Sequence, residues 1–202
     1  MVTSQSINAF RLRKATQDDI PQLSLLIEAS VRALHTEHYT PEQISGALKS
    51  IYGVDTTLIY DRNYFVVETS APPSLTEPAP TSPAAVAVQI VGCGGWSYRR
   101  TLYGGDRHNA RDDNVLDPAK DAGKIRAFFV HPEWTRKGVG GIVLRACENA
   151  ARAAGFKTVE MGATLSGVPF HASSGYSELE RVEERLENGI VVNFARMGKV
   201  LE

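Results

Sequence analysis

The strongest constraint on this chain is a glycine-rich turn between an apolar segment and a long amphipathic one. Residues 125–130 (IRAFFV) have the composition of a buried strand, and residues 142–153 repeat apolar side chains at helical spacing. Between them, residues 136–141 (RKGVGG) place three glycines and two cations at the predicted helix start. The first turn of a helix leaves N–H groups unpaired, and its dipole favours anions. Glycine lets a phosphate approach the backbone closely, so this segment predicts a diphosphate-binding site.

Two common nucleotide-binding motifs do not fit this turn. A Walker loop needs a Lys-Ser/Thr pair directly after its last glycine, where Gly141-Ile142 stands. A Rossmann fingerprint needs a third glycine where Val143 stands. The diphosphate is therefore expected to belong to another class of cofactor, and an ATP- or NADH-binding regulator is disfavoured.

The remaining pattern predicts a mixed α/β domain. Thr16 starts a helix that reaches Leu34, and Thr40-Pro41 starts a second helix that ends at Gly53. A short helix near 170–174 precedes Gly175, and Asn188-Gly189 is a standard hairpin signal. Strands are predicted at 9–14, 63–69, 85–98, 125–130, 157–161, 178–184 and 190–196.

Two segments interrupt this order without indicating a second domain. Residues 71–85 hold five prolines and no aromatic residue, which predicts an extended loop insert. Residues 99–124 are polar, rich in glycine and of mixed charge, which predicts a long, partly ordered flap. We expect residues 1–202 to form a single domain that carries both loops.

Composition excludes several classes of partner. The net charge is −1 and the isoelectric point about 6.5, so no basic excess indicates nucleic-acid binding. No apolar run is long enough for a membrane span, and the N-terminus has no signal-like apolar core. Cys93 and Cys147 do not make a disulfide framework, so free thiols and a cytoplasmic location are expected.

Three segments of the chain resemble motifs of one known family: FFVHPEWTRKGVGGIVLRACENAARAAGF, RLRKATQDDIPQL and GVPFHASSGYSELER. They are similar, in that order, to the central motif, the first strand and helix, and the late helix of the GNAT (GCN5-related) N-acetyltransferases. The resemblance implies an α/β GNAT fold. Its mixed, mostly antiparallel sheet is flanked by helices and splayed where coenzyme A binds. It also implies acetyl-CoA as cosubstrate and an N-acetyltransferase acting on a primary amine of a small molecule or peptide.

The resemblance also implies where the cofactor lies. The pyrophosphate would rest on the turn and the pantetheine along the preceding strand, where a main-chain N–H would stabilise the oxyanion. The implied cofactor-binding residues are Phe128, Phe129, Val130, Thr135, Arg136, Lys137, Gly138, Val139, Gly140 and Gly141.

Two positions depart from the family pattern. Thr135 stands where the motif has Gln or Arg, and a weaker hydrogen bond to the cofactor is expected there. His171 stands where many members have a tyrosine that protonates the leaving thiolate. His171 could serve as that acid or cap the helix on the surface. The alternative function is therefore a non-catalytic acyl-CoA-binding protein with a degenerate site. Tyr176 is expected in the core.

The acceptor pocket is expected between the first two helices, as in the family. Glu37 and His38 are the leading candidates for contact with the amine or its proton, and His35 and Tyr39 lie beside them. His35 and His38 have metal-like spacing, but no third ligand accompanies them, so no metal is expected. The sequence leaves the general base open, with Glu68, Tyr98 and Arg99 at the ends of central strands. Dimers are common among proteins of this kind, so a homodimer is one option.

Overall fold

The computed structural model describes residues 10–70 and 88–201. The predicted Pro-rich loop at 71–85 lies outside the described residues. Seven strands and five α-helices make up the described chain. The strands are β1 (Arg11–Lys14), β2 (Tyr64–Ser70), β3 (Val88–Ser97), β4 (Gly123–Val130), β5 (Thr158–Thr164), β6 (Ser177–Arg185) and β7 (Val191–Val200). The helices are α1 (Ile20–Leu34), α2 (Pro41–Ser50), α3 (Thr56–Tyr60), α4 (Val139–Ala153) and α5 (Val168–Ser173).

The strands form one open sheet in the order β1-β2-β3-β4-β5-β7-β6. Each neighbouring pair is antiparallel except β4 and β5, which are parallel. The mixed, mostly antiparallel sheet expected from the resemblance is therefore confirmed. The parallel pair stands at the centre, because the connection through α4 carries the chain back to the same end of the sheet.

Local signals account for the first helices. Thr40 accepts a hydrogen bond from the Gln43 N–H, the Gln43 side chain accepts one from the Thr40 N–H, and Pro41 opens α2. The short helix α3 is not in the sequence-based prediction. Asp55 caps it by accepting from the Leu58 N–H, so an Asp-Thr-Thr cap signal was present in the sequence.

The helices cover the two faces of the sheet separately. The buried side chains of α1, α2 and α3 form one apolar cluster with the inward side chains of β2, β3 and β7. Those of α4 form the second cluster, against the other face. Gly92 of β3 permits the close packing of α4, because a Cβ there would lie 2.4 Å from Val139 Cγ1. No helix of the described residues is long and apolar enough to cross a membrane.

The segment between β3 and β4 is ordered although it contains no helix or strand in the described structure. Two backbone bonds attach it to the segment before α3, from the Gly105 N–H to the Ile51 carbonyl and from the Asp106 N–H to the Val54 carbonyl. A Cβ at Gly105 would lie 2.7 Å from the Gly53 oxygen, so glycine is required for this approach. The predicted flap is thus fastened to one face of the sheet.

Candidate active site

The centre of the sheet is splayed. β4 and β5 pair at Gly123–Val159 and Lys124–Glu160, and beyond Lys124 the described residues offer β4 no strand partner on that side. On its other side β4 carries one extra residue between Arg126 and Phe129, with Ala127 in the left-handed region (φ 52°). A bulge bends the strand that carries it, and this one follows the point where the pairing of β4 with β5 ends. The unpaired edge can accept an extended ligand through backbone hydrogen bonds.

A cavity of about 900 Å³ fills this gap and continues to both sides of the sheet. On one side it reaches the start of α4, and on the other it reaches the turn between α1 and α2. The middle is lined by residues 125–130 of β4 and residues 161–164 of β5. One ligand lying through the splay could therefore meet a second ligand entering from the opposite face.

The glycine-rich turn has the geometry of an anion cradle. The first hydrogen bond of α4 runs from the Ile142 N–H to the Gly138 carbonyl at 3.1 Å. The N–H groups of Val139, Gly140 and Gly141 come before this bond and are therefore not used in the backbone hydrogen bonds of the helix. Gly138 adopts a left-handed φ of 87°, which favours glycine, and Arg136 adopts one of 60°. Gly138, Gly140, Gly141 and Arg136 all line the cavity.

Not every residue predicted to bind the cofactor presents its side chain to the cavity. Phe128, Phe129, Val130 and Thr135 line the cavity. The Thr135 hydroxyl donates to the Pro132 carbonyl at 3.0 Å, so its hydrogen is already used. Two other predicted residues, Lys137 and Val139, turn away: Lys137 Nζ lies 4.5 Å from the centre of the Trp134 ring, and the Val139 side chain is buried in the core. Val139 can therefore offer a ligand only its backbone N–H group.

His171 of α5 lines the same cavity. It does not cap the helix on the surface, which was one of the two alternatives from the sequence. Its ring is only 5% exposed and packs against Phe128, Phe170 and Tyr176, with ring centres 5.0–5.8 Å away. Its Nδ1 has no hydrogen-bond partner. Burial lowers the pKa of His171 to about 4. The imidazole is therefore neutral at working pH, and it can donate a hydrogen bond but carries no extra proton.

The turn after α1 closes the acceptor side of the cavity. Glu37 and His38 are exposed lining residues at its mouth. His35 is buried beneath them, and burial lowers its pKa to about 4. Tyr39 donates to the Asn193 carbonyl at 2.7 Å and accepts from the Leu165 N–H at 2.8 Å, which fixes the turn to β7. No cluster of three or more metal-ligating side chains occurs in the described part of the chain.

Several other candidates have structural roles. Glu68 forms a partly buried ion pair with Arg13 at 2.6 Å, away from the cavity, and Arg99 pairs with Asp61. Cys93 and Cys147 are fully buried free thiols whose pKa values are raised by burial. Among the remaining aromatics, Trp134 lines the cofactor side of the cavity, Trp96 is in the core, and Tyr176 is buried as expected, with its hydroxyl donating to Glu148.

Sequence reasoning missed the aromatic residues at the acceptor side. Tyr52, Tyr103 and Phe194 line this part of the cavity and come from three distant segments. Of these, only Tyr103 carried a local signal, as a lone tyrosine next to the Gly104-Gly105 pair in a polar segment. Their convergence depends on the sheet order and could not be derived from spacing.

Comparison with known proteins agrees with this geometry. Residues 115–201 match the family model described as the acetyltransferase (GNAT) domain. A comparison with curated protein sequences gives no match. A solved GCN5-related N-acetyltransferase from Rhodopseudomonas palustris is similar in fold over 98% of this chain and 100% of its own, with a TM-score of 0.63 and 18% identity.

Two further solved structures share the fold. PaiA N-acetyltransferase from Thermoplasma acidophilum, in complex with coenzyme A, covers 95% of this chain and 99% of its own (TM-score 0.58, 12% identity). Ard1 from Thermoplasma volcanium covers 96% and 99% (TM-score 0.55, 15% identity). The glycine-rich helix start and the strands β5, β6 and β7 lie in the part of the chain that the acetyltransferase family model matches. More specifically, residues 115–201 match the acetyltransferase (GNAT) domain, whose enzymes use acetyl-CoA as cosubstrate, and the chain shares the fold of solved GNAT N-acetyltransferases.

Proposed function

We propose that this protein transfers the acetyl group of acetyl-CoA to a primary amine of a small molecule by direct attack. The observation that carries the proposal is the single cavity that joins the anion cradle, the unpaired edge of β4 and the turn after α1. A cofactor and an acceptor that enter from opposite faces meet at the bulge of β4. No covalent enzyme intermediate is needed, because Cys93 is fully buried and its pKa is raised to about 12.

In this proposal the backbone holds the cofactor. The N–H groups of residues 136–141 bind the pyrophosphate, and the edge of β4 at Phe128–Val130 pairs with the pantetheine. A main-chain N–H of β4 stabilises the oxyanion that forms when the amine nitrogen attacks the thioester carbon. The tetrahedral intermediate then collapses, the carbon–sulfur bond breaks and the thiolate leaves.

The side chains have roles in moving protons. Neutral His171 donates a hydrogen bond toward the departing sulfur, since its ring lines the cavity. Glu37 and His38 at the mouth receive the proton that the acceptor ammonium must lose before attack, and they pass it to solvent. As the intermediate collapses, the attacking nitrogen loses a second proton and this proton ends on the thiolate, so the amine becomes an amide and the thiolate a thiol.

The first test is calorimetric titration of acetyl-CoA, ATP and NADH into the wild-type protein and the variants Gly140→Asp and Gly140→Ala. A Cβ at Gly140 meets Phe170 at 3.1 Å, and this contact is the same in both variants. Only Asp adds negative charge to the cradle. Because an acid in the first turn stabilises a helix, a loss of binding in Gly140→Asp would come from the charge and not from unfolding of α4. We expect acetyl-CoA alone to bind in the micromolar range, Gly140→Asp to abolish binding and Gly140→Ala to weaken it less.

A thiol-release assay with a panel of amines follows, with His171→Ala beside the wild type. We expect release only when an amine is present, and a lower kcat in His171→Ala at an unchanged acetyl-CoA affinity. Failure to bind acetyl-CoA would refute the cradle. Binding without turnover of any amine would favour the alternative, a protein that binds acyl-CoA without using it.

Smaller parts of the proposal concern the setting of the enzyme. We propose that residues 1–202 act as one domain in a reducing compartment such as the cytoplasm, which the two free thiols support. A peptide acceptor and a homodimer are further options. Including lysine peptides in the amine panel tests the first, and light scattering on the purified protein tests the second.

A further inference from the structure

The acceptor side of the cavity has walls of aromatic rings. Tyr52, Phe129, Phe194, Tyr103 and His35 all line it, and they form one connected group, the aromatic compartment. Tyr52 contacts His35, Phe129 and Phe194 edge to face, with ring centres 5.4, 6.1 and 6.3 Å apart. Tyr103 stacks on Phe194 with ring centres 4.9 Å apart. Such walls favour an apolar body, and their ring faces attract a cation.

Tyr103 is held firmly although it belongs to the long segment before β4. Its ring lies on Gly162 of β5, where a Cβ would be 2.7 Å from Tyr103 Cδ1. Its hydroxyl donates to Glu184 Oε2 at 2.7 Å. The neighbouring Thr101 carbonyl accepts from Arg126 Nη1 at 2.8 Å. The segment therefore supplies a fixed wall of the compartment.

Among the described residues of the compartment, no cationic side chain is available to bind a carboxylate of the acceptor. Arg126 borders it, but its side chain is fully buried, and its Nε donates to Asp55 Oδ2 at 2.6 Å. Arg126 Nη2 has no partner, but the bonds to Asp55 and to the Thr101 carbonyl hold the guanidinium in place. The other charged lining residue on this side is Glu37 at the mouth, which favours a cationic ligand.

Two buried polar atoms of the compartment have no partner. They are Nδ1 of His35 and the hydroxyl of Tyr52, and their rings touch each other. Burial keeps His35 neutral, so its ring can accept a hydrogen bond. An unpartnered buried polar group is unfavourable, and an amine nitrogen could satisfy either atom after a small side-chain shift.

From these observations we infer that the acceptor is a primary amine on an aromatic or similarly apolar body, without a carboxylate beside the amine. The inference rests on the proposed function and names its substrate class. The ring of the acceptor lies among Tyr52, Phe194 and Tyr103, and its amine faces His35 and the bulge of β4. An amino acid with the same ring would bring a carboxylate into walls that offer it no partner.

A matched pair of acceptors tests this directly. 2-Phenylethylamine and L-phenylalanine share the ring and the amine and differ in the α-carboxylate. We measure kcat/KM for each by thiol release at saturating acetyl-CoA, and the affinity for each by calorimetry in the presence of coenzyme A. We expect 2-phenylethylamine to be preferred by at least about tenfold in both measurements.

Three variants locate the site. Tyr103→Ala should lower kcat/KM for 2-phenylethylamine by about tenfold or more, through the lost ring contact. Tyr103→Phe keeps the ring and should retain most activity. Tyr60→Ala, a change at a tyrosine that is 83% exposed and outside the cavity, is the control for tyrosine removal. The KM for acetyl-CoA should stay the same in all three.

The outcomes separate the inference from the proposed function. Equal or better use of L-phenylalanine, or of glutamate or a lysine peptide, would overturn the aromatic amine as acceptor while leaving acetyl transfer intact. If no amine is acetylated, the proposed function fails, and the calorimetric preference still decides what the compartment binds. Equal losses in Tyr103→Ala and Tyr60→Ala would also overturn the assignment.

Discussion

The protonation state of His171 can be tested through stability alone. The imidazole is buried among three aromatic rings, and its pKa falls from 6.5 to about 4. Between about pH 4 and pH 6.5, His171 is protonated in the unfolded chain and neutral in the folded chain. Stability therefore rises with pH across this window, and the His171 contribution to the pH dependence vanishes above about pH 6.5.

The magnitude follows from the size of the shift. One pKa unit corresponds to about 1.4 kcal/mol, so the full effect below about pH 4 is about 3 kcal/mol. Between about pH 7 and about pH 5, where the protein is expected to remain folded, the His171 share is about 2 kcal/mol. His35 contributes a similar effect, because its pKa is also lowered to about 4.

The assay is urea unfolding of the wild type and of His171→Phe at the two pH values. Phenylalanine keeps an aromatic ring against Phe128, Phe170 and Tyr176 but cannot titrate. His35 and all carboxylates are common to both proteins, so their contributions cancel in the difference. We expect the wild type to lose about 2 kcal/mol more than His171→Phe when the pH falls from about 7 to about 5.

An equal loss in both proteins would refute the reasoning. It would mean that His171 carries its ordinary pKa in the folded chain, so that the ring is hydrated or charged. His171 would then be a cationic acid for the leaving thiolate, as in the first alternative from the sequence. The result therefore also decides how the thiolate is stabilised.

Two further predictions concern groups outside the reaction path. Asp55→Asn should lower the free energy of unfolding by about 3–5 kcal/mol, because it removes the carboxylate from the fully buried Arg126 and from Arg111; urea unfolding measures this. In the native protein, neither Cys93 nor Cys147 should react with Ellman's reagent during an assay, since burial raises both pKa values; denaturant should release both thiols.

Each of these predictions has its control. Glu28→Gln breaks the exposed pair with Arg32 and should cost less than about 1 kcal/mol. A loss as small for Asp55→Asn would contradict the buried pair. Rapid modification of one native thiol would contradict the burial of the cysteines, and it would also add a background signal to the thiol-release assay.

Local patterns in the sequence were enough for most of the fold. The glycine-rich turn predicted the cradle and the helix after it, because phosphate binding at a helix start requires adjacent residues. The helix after that turn, the cap at Thr40 and the turn at Asn188-Gly189 were predicted correctly, and the binding of a phosphate stays a prediction. Short helix α3 was missed, since its apolar content over Thr56–Tyr60 gives no helical repeat.

The sequence by itself was enough to predict the GNAT fold, because the segment that resembles the family's central motif is continuous along the chain. Tertiary structure alone decided the acceptor side. Tyr52, Tyr103, Phe129 and Phe194 come from four segments and meet only because the sheet order brings β4, β5 and β7 together beneath the long segment. The same packing buries His171 and lowers its pKa, and burial is a property of the whole fold that no local spacing encodes.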